Sequence, residues 1–306
     1  MDAVTPKVSI GVPVFNAESF LEEALQSLLG QDFEDLEIII SDNGSTDRTE
    51  QICREAAASD ARVRYLRSEV NHGLAWNHNS VLAAARGEYF KWAAYDDKHA
   101  PEFVSRCLDV LESDPAVVLV FSRTVDIDDD GVVFKKWPSL AKATADRPSE
   151  RFRDAILNLR ECFEIYGLMR VDALRSTPGH GAYPSADQVL LAEMALHGRF
   201  HELDEVLFFH REHPGRSMSA FASARDRVEF FQPGKAGKLT FPRFRIVYEL
   251  LLATGRPQLS TQERWAARRA MLPYLRRWWK VLLRSIPGAF VHSYRYRRSQ
   301  RLRESP

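Results

Sequence analysis

The sequence is poor in cysteine, and it has neither a net charge nor a long hydrophobic run. Its cysteines, Cys53, Cys107 and Cys162, are far apart and lack the spacing of a metal-binding motif. An odd, scattered set is no disulfide framework, so we expect reduced, structural thiols in a cytoplasmic protein.

The hydrophobic runs and the N-terminal segment predict neither a membrane-spanning helix nor a signal peptide. No run approaches the roughly 18–20 apolar residues of a membrane-spanning helix. The N-terminal segment has no basic region followed by an apolar one, so no signal peptide is expected. The hydrophobic fraction of 45% is ordinary for a globular protein, and 306 residues suffice for a large α/β domain.

Short apolar runs alternate with amphipathic segments in the first 121 residues. This alternation predicts βαβ units and a largely parallel sheet. Right-handed connections then bring the loops after the strands to one edge. The predicted strands are residues 8–14, 36–41, 63–66, 89–94 and 117–121. The loops at that edge, residues 15–16, 42–46, 67–73 and 95–99, are rich in Asn, Asp, His and Gly and form the candidate site.

The pattern changes after Asp126. Residues 126–138 predict a hairpin that turns at Asp130 and Gly131. The later predicted elements are helices at 149–159 and 187–197, strands at 163–169, 200–203 and 206–210, and mostly helix beyond Ser217. We expect a catalytic domain at residues 1–215 and a helical, basic extension at residues 216–306.

Two adjacent carboxylates, Asp96 and Asp97, follow the predicted strand at 89–94. Like charges repel unless a cation or strong donors compensate them. Carboxylate oxygens suit Mg²⁺ or Mn²⁺, and ligands of open α/β sheets bind at this edge. The pair therefore indicates a cation site, and a solvated turn ahead of the helix near Pro101 is the alternative.

Four segments together resemble the family 2 glycosyltransferases, which have the GT-A fold, a Rossmann-like α/β fold with a mostly parallel central sheet. The resemblance covers about residues 8 to 213 and implies inverting transfer of a sugar from a nucleotide diphosphate donor. It implies a UDP-sugar, Mn²⁺ or Mg²⁺, and a hydroxyl acceptor on a glycan or lipid-linked glycan. The segments are IGVPVFNAESFLEEALQSLLGQ, EIIISDNGSTDRT, ARGEYFKWAAYDD and SADQVLLAEMALHGRF.

The resemblance implies a donor-binding role for the ends of the first strands. Asp42 would accept a hydrogen bond from the donor base, as an imide N–H of uracil offers. An Asx turn ahead of Gly44 is the alternative for Asp42, and turns or core packing are alternatives for the other candidates. Those other candidates are Pro13, Val14, Phe15, Asn16, Asn71 and Asn77.

The resemblance also implies a metal and diphosphate site. Asp96 and Asp97 match the family's metal and ribose motif, although Ala94 and Tyr95 precede them in place of the commoner Asp-x-Asp-Asp form. Arg211 would contact the donor diphosphate, and His213 would be a third metal ligand. A surface loop explains these two residues nearly as well.

Asp187, at the head of a late helix, matches the family's general base. Inverting transfer needs a carboxylate that takes the acceptor hydroxyl's proton. The structural alternative is helix capping, for which Ser185 and Asp187 are both suited.

The C-terminal segment is strongly basic. From Arg256 onward, 13 Lys and Arg face only Glu263 and Glu304, so the segment carries +11 and the first 255 residues carry −11. Trp and Leu recur between the arginines at helical spacing, which suits a helix on the anionic inner face of the cell membrane. Packing against the catalytic domain is the alternative, and no motif supports nucleic-acid binding.

Two other function classes fit parts of this pattern. A non-catalytic nucleotide-sugar or glycan-binding protein would need Asp96 and Asp97 but not Asp187. A nucleotidyltransferase would bind a nucleotide with paired acids, yet it would usually carry a Gly-rich, basic loop after the first strand. Residues 15–18, Phe-Asn-Ala-Glu, do not provide one.

Overall fold

The computed structural model describes residues 5–140, 142–215 and 241–303, with side chains up to residue 285 in the last helix. The strands are β1 (Val8–Val14), β2 (Leu36–Asp42), β3 (Val63–Arg67), β4 (Tyr89–Trp92), β5 (Lys98–His99), β6 (Val117–Ile127), β7 (Val133–Lys136), β8 (Leu168–Arg170) and β9 (Arg199–Arg211). The helices are α1 (Leu21–Leu29), α2 (Thr49–Ser59), α3 (Leu74–Ala84), α4 (Phe103–Ser113), α5 (Pro148–Asn158), α6 (Val171–Arg175), α7 (Ala186–His197), α8 (Pro242–Ala253) and α9 (Thr261–Arg303).

One sheet contains all nine strands of the described residues, in the order β3-β2-β1-β4-β8-β6-β9-β5, with β7 paired to β6. β1 is parallel to β2 and β4, and β2 is parallel to β3. β8 is antiparallel to both β4 and β6, so β4 and β6 run in the same direction. β9 is parallel to β6. The carboxyl ends of β1, β2, β3, β4, β6 and β9 therefore lie along one edge, as the sequence predicts.

Hydrophobic runs explain why the central strands are buried on both faces. Every residue of β2 is buried, and Ile38, Ile39 and Ile40 are completely inaccessible to solvent. A continuous apolar run is typical of a parallel strand covered by helices on both sides. The core accordingly divides into two clusters, one on each face of the sheet.

The second half departs from the predicted elements at two places. The strand predicted at 163–169 is wrong in its first part, because Phe163–Tyr166 is a 3₁₀ helix and β8 begins only at Leu168. Cys162 has a positive φ of 55° and starts this turn, which the Gly167 N–H closes on the Glu164 carbonyl at 3.0 Å. The two strands predicted at 200–203 and 206–210 are one strand, β9, with shifted register against β6. The predicted hairpin is confirmed as β6 and β7.

Helices α8 and α9 pack against the hydrophobic core beside α5 and α7. Leu250 of α8 and Met271 and Tyr274 of α9 are buried in the same hydrophobic cluster as α5 and α7. Glu263 at the start of α9 forms an ion pair with Arg147, at 2.9 Å. The helical prediction beyond Ser217 is confirmed from Pro242 onward, whereas residues 216–240 lie outside the described residues and the predicted boundary at 215 stays a prediction.

Length and apolar character together decide whether a helix can cross a bilayer. None of the described helices combines sufficient length with sufficient apolar character to cross a membrane.

Candidate functional site

Asp42 is the last residue of β2, where the parallel register places it between Val14 of β1 and Arg67 of β3. Its side chain is completely buried. Oδ1 accepts the Ser45 N–H at 2.9 Å, and Oδ2 accepts the Tyr65 hydroxyl at 2.9 Å and an Arg67 guanidinium N–H at 2.7 Å. The turn expected as the alternative for Asp42 is therefore present, and its contact with a base stays a prediction.

The loops after β1 and β2 fix one another's shape. Asn16 has a positive φ of 49°, its N–H donates to the Ser45 hydroxyl at 2.9 Å, and its Oδ1 accepts the Thr46 N–H at 2.9 Å. Gly44 has a φ of +80°, and a Cβ there would come within 3.0 Å of the Val70 backbone. A residue with a side chain would be strained at this position.

The four residues at the end of β1 differ in accessibility. Val14 is buried in the core, Pro13 is half-buried, and Phe15 and Asn16 are exposed. Only the last two thus present side chains at the surface of the sheet edge.

Asn71 and Asn77 tie the next loop and helix to the same edge. Asn71 Oδ1 accepts the Asn43 side-chain N–H at 2.9 Å and the Gly73 N–H at 2.7 Å, which is an Asx-type turn. The Asn77 amide donates to the Val14 carbonyl at 3.0 Å, while its Oδ1 is buried without a partner among the described residues. In this structure both asparagines bond to protein groups, and donor contact by either stays a prediction.

Asp96 and His213 meet at the end of the sheet edge. Asp96 Oδ2 lies 3.0 Å from His213 Nε2, and both side chains are largely buried. Asp97 is directed elsewhere, because its Oδ1 accepts the backbone N–H of Arg211 at 2.8 Å. The structure therefore brings together two of the three predicted metal ligands.

The Arg211 guanidinium, beside Asp96, is completely buried. It donates to the Asp96 backbone carbonyl at 3.0 Å, to the carbonyls of Asp128 and Asp129, and to the Glu23 carboxylate. The same group stacks 4.7 Å from the Phe20 ring. With these partners, Arg211 joins α1, the Asp96 loop and the β6–β7 turn.

The ligand atoms that Asp96 and His213 offer suit a divalent cation. A carboxylate and an imidazole suit Mn²⁺, and the carboxylate also suits Mg²⁺. Elsewhere in the described chain, ligand atoms of Asp126, His210 and Glu212 lie within 4.8 Å of one another. Asp126 accepts a hydrogen bond from Trp137 Nε1 at 2.7 Å and lies 2.9 Å from His210 Nδ1, so both places combine a carboxylate with an imidazole.

Asp187 lies in the first turn of α7 and is half-buried. Burial raises the pKa of its carboxyl above the ordinary range, although hydrogen bonds from the Gln188 N–H and the Cys162 thiol oppose that rise. Ser185 precedes the helix with a φ of 62° and makes no side-chain capping bond. Asp187 is thus a carboxyl group with raised basicity at a rigid helix start.

The loop before α7 is anchored to α3, whose first turn contacts the end of β1. The Asn79 side chain bonds both backbone groups of His180, at 2.9 Å to the carbonyl and 2.8 Å from the N–H. This pair of bonds positions the Asp187 side of the protein relative to the donor side.

Three residues of the site are missing from the sequence predictions. They are Glu23, which pairs with Arg211, and Tyr65 and Arg67, which hold Asp42. Arg67 could have been found from the parallel register, because it ends β3 as Asp42 ends β2. Glu23 gave no signal, because it is one of two adjacent acids, Glu22 and Glu23, on the helix after β1.

Comparison with known proteins identifies the family of the chain. The model of the family "Glycosyl transferase family 2" matches residues 9–176. Chondroitin synthase from Escherichia coli is 33% identical over 153 residues, which are 48% of this chain but only 22% of that protein. The chain thus spans about a fifth of this relative's length.

Two solved structures share the fold. Staphylococcus aureus TarS 1-349 in complex with UDP-GlcNAc has a TM-score of 0.63 at 19% identity, covering 88% of this chain and 72% of that one. The mannosyltransferase PcManGT from Pyrobaculum calidifontis, in complex with GDP-Man and Mn²⁺, has a TM-score of 0.51 at 17% identity, covering 95% and 88%. The sheet described above is therefore a GT-A fold with additional C-terminal helices.

Proposed function

Because the chain belongs to glycosyltransferase family 2, we propose that it transfers a sugar from a nucleoside diphosphate donor to an acceptor hydroxyl. The observation that carries this proposal is the contact between Asp96 and His213 at the edge where Asp42 also lies. A site that combines a metal-binding pair with a buried carboxylate at a neighbouring strand end suits a nucleoside diphosphate.

The donor is proposed to be a UDP-sugar. Asp42 lies at a strand end, and the exposed Phe15 ring at the neighbouring strand end can cover a planar base. Because Asp42 is completely buried and both its oxygens already accept bonds, the imide N–H of uracil must displace the Tyr65 hydroxyl or the Arg67 guanidinium to reach it. Asn16, Asn71 and Asn77 shape the loops around that position.

Asp96 and His213 are proposed to hold Mn²⁺ or Mg²⁺, and Asp97 to fix the strand end that carries Arg211 and His213. A bound divalent cation supplies Lewis-acid stabilisation of the departing diphosphate. Arg211 is proposed as a positioning residue, since its buried guanidinium is occupied by Glu23 and by three carbonyls.

Asp187 is proposed to take the proton of the acceptor hydroxyl. As the proton moves to the Asp187 carboxylate, the acceptor oxygen attacks the anomeric carbon and the bond from that carbon to the diphosphate oxygen breaks on the opposite face. The configuration at the anomeric carbon is then inverted. A raised pKa makes the carboxylate a stronger base, which favours proton abstraction near neutral pH.

The acceptor is proposed to be a glycan or a lipid-linked glycan, with the enzyme on the inner face of the cell membrane. The basic C-terminal segment and its exposed Trp and Leu side chains support this location.

The test is a screen of UDP-glucose, UDP-galactose, UDP-GlcNAc and GDP-mannose, each with Mn²⁺ or with chelator. We expect a UDP-sugar to raise the melting temperature and to be hydrolysed slowly, with both effects lost in chelator. If no nucleotide sugar stabilises the protein or is consumed, the proposal is wrong. If a nucleotide sugar stabilises the protein but is neither hydrolysed nor used to transfer its sugar to a hydroxyl acceptor, the protein is a binding protein instead.

A further inference from the structure

Helix α9 has two apolar faces up to residue 285, and the described residues of the protein cover one of them. The covered face contacts α5 and the hydrophobic core through Ala267, Ala270, Met271 and Tyr274. Helix packing therefore accounts for that side of the basic segment.

The opposite face of α9 is exposed, and we call it the outward stripe. Its members follow one another at intervals of four and three residues, which keeps them on one side of a helix. The four apolar members are between 52% and 58% exposed, which is unusual for such large side chains in succession. The outward stripe consists of Trp265, Arg269, Leu272, Arg276, Trp279 and Leu283.

The charges around the outward stripe are not paired with acids among the described side chains. None of Arg269, Arg276, Lys280 and Arg284 has a carboxylate partner among the side chains that the structure describes. The segment from Arg256 onward carries +11 in total. A surface with this charge attracts an anionic partner.

We propose that the outward stripe is a docking surface for an anionic lipid bilayer. Trp and Leu would enter the boundary between headgroups and acyl chains, where amphipathic Trp is favoured. The arginines can extend along their aliphatic stems so that their guanidinium groups reach lipid phosphates. Trp and Arg are also enriched in protein interfaces, so the choice of a lipid surface rests on the +11 charge of the segment.

A hydrogen bond from α9 to the end of α5 connects this docking surface to the proposed base. The Arg277 guanidinium donates to the Leu157 carbonyl at 3.3 Å, near the end of α5. Two residues later, the Leu159 carbonyl accepts the side-chain N–H of Gln188 at 3.0 Å, and Gln188 is adjacent to Asp187. Docking would therefore hold the start of α7 at a fixed position relative to the lipid surface. The link to Asp187 rests on the proposed function. Lipid binding by the outward stripe makes the membrane location proposed above specific, and vesicle sedimentation tests it without any sugar transfer.

The test is sedimentation of the full chain with vesicles of phosphatidylcholine alone or mixed with phosphatidylglycerol. We expect binding to the mixed vesicles only, weakened by salt because exposed charges are screened. Each of Arg269→Gln and Arg276→Gln should weaken binding about fivefold, the effect of removing one basic residue near an anionic surface. The double variant Leu272→Glu with Trp279→Glu should abolish it.

The matched control is Val133→Glu with Phe134→Glu, which places the same charges on exposed apolar residues of β7, away from α9. It should bind vesicles as the unmodified chain does. UDP-sugar stabilisation, measured on every variant, should be unchanged, which separates a failure of docking from a failure of the proposed function.

Three outcomes would overturn the docking proposal. The first is no binding of the full chain to anionic vesicles at low salt. The second is equal weakening by the control. The third is a change from dimer to monomer in the stripe variants without a change in vesicle binding, which would assign the stripe to a second copy of the chain.

Discussion

His213 Nε2 lies 3.0 Å from Asp96 Oδ2, although 117 residues separate the two in sequence. A short contact between an imidazole and a carboxylate at a sheet edge can be a simple hydrogen bond or a pair of metal ligands. Only the second possibility makes ligand binding depend on a divalent ion, so experiment can separate the two.

We predict that Asp96→Asn and His213→Ala each weaken Mn²⁺-dependent binding of UDP by tenfold or more. Loss of an outer-shell partner alone typically costs about 10–100-fold in metal affinity, and loss of a ligand should cost no less. Calorimetry with Mn²⁺ and with chelator measures the effect. Asp204→Asn and His201→Ala, at exposed positions, are the controls. UDP binding that is equally tight in chelator would show that the pair is only a hydrogen bond.

Asp187→Asn should reduce sugar transfer by about 10²–10⁴-fold, the usual contribution of a general base. The variant should bind UDP-sugar normally, because the amide keeps the size of the side chain. Steady-state rates and donor affinity are measured together, with the exposed Asp172→Asn as control. Transfer at the unmodified rate would leave Asp187 without a chemical role.

The pH dependence of transfer gives a separate prediction about Asp187. Burial raises the pKa of its carboxyl, so the base becomes protonated, and the rate falls, at a higher pH than for an exposed Asp. The activity that remains in Asp187→Asn should not show this fall in rate at low pH. If the rate falls at the same pH in the unmodified protein and in Asp187→Asn, the protonation of another group causes the fall.

Asp42→Asn should destabilise the fold as well as weaken UDP binding. The substitution removes a buried charge that pairs with Arg67 at 2.7 Å, and breaking such a pair typically costs about 3–5 kcal/mol. Arg67 is partly exposed and can be hydrated, so we expect the lower end, about 3 kcal/mol, in urea unfolding. Glu205→Gln, which breaks an exposed pair with Arg106, should cost less than about 1 kcal/mol. Unchanged stability in Asp42→Asn with lost UDP binding would mean that Asp42 serves the ligand alone.

Lys91→Met should stabilise the protein at neutral pH. Lys91 is completely buried, with its amine 2.8 Å from His99 Nε2 and 4.9 Å from the Phe103 ring centre, and burial lowers its pKa to about 7. The unfolded chain, with an ordinary Lys pKa of 10.5, then binds more protons above pH 7. The penalty is complete below about pH 7 and disappears as the pH rises through 10.5. Urea unfolding between pH 7 and 10 should show stability rising with pH in the unmodified protein and a flatter profile in Lys91→Met. The exposed Lys136→Met should leave the slope intact.

The sequence predicts the donor half of the fold well, because its strands are long apolar runs followed by polar loops. Asp42 and Asp96 could be placed at the correct edge because consecutive parallel strands must end together. The partners of Asp42 were not predictable, because Arg67 reaches it only through the register of β2 against β3.

The second half is harder to predict from local pattern. Phe163–Tyr166 has the composition of a strand, but the positive φ of Cys162 and the bond from Gly167 to Glu164 form a 3₁₀ turn instead. Arg211 follows a strand and is expected at the surface, yet it is buried because Glu23 and three carbonyls surround it. Helix α9 could be recognised as apolar and basic from sequence, but which of its two apolar faces is covered depends on α5.

The ion pair of Arg211 with Glu23 joins positions that are 188 residues apart, and this affects how the protein folds during synthesis. Contacts so distant in sequence form slowly, because a long loop must close before they stabilise anything. A nascent chain can complete the β1–β4 sheet long before residue 211 leaves the ribosome, but it cannot yet fix the loop of Asp96. We therefore expect the fragment 9–176, which lacks β9 and His213, to lack the proposed metal-binding pair, so that premature termination yields an inactive chain rather than a weakly active enzyme.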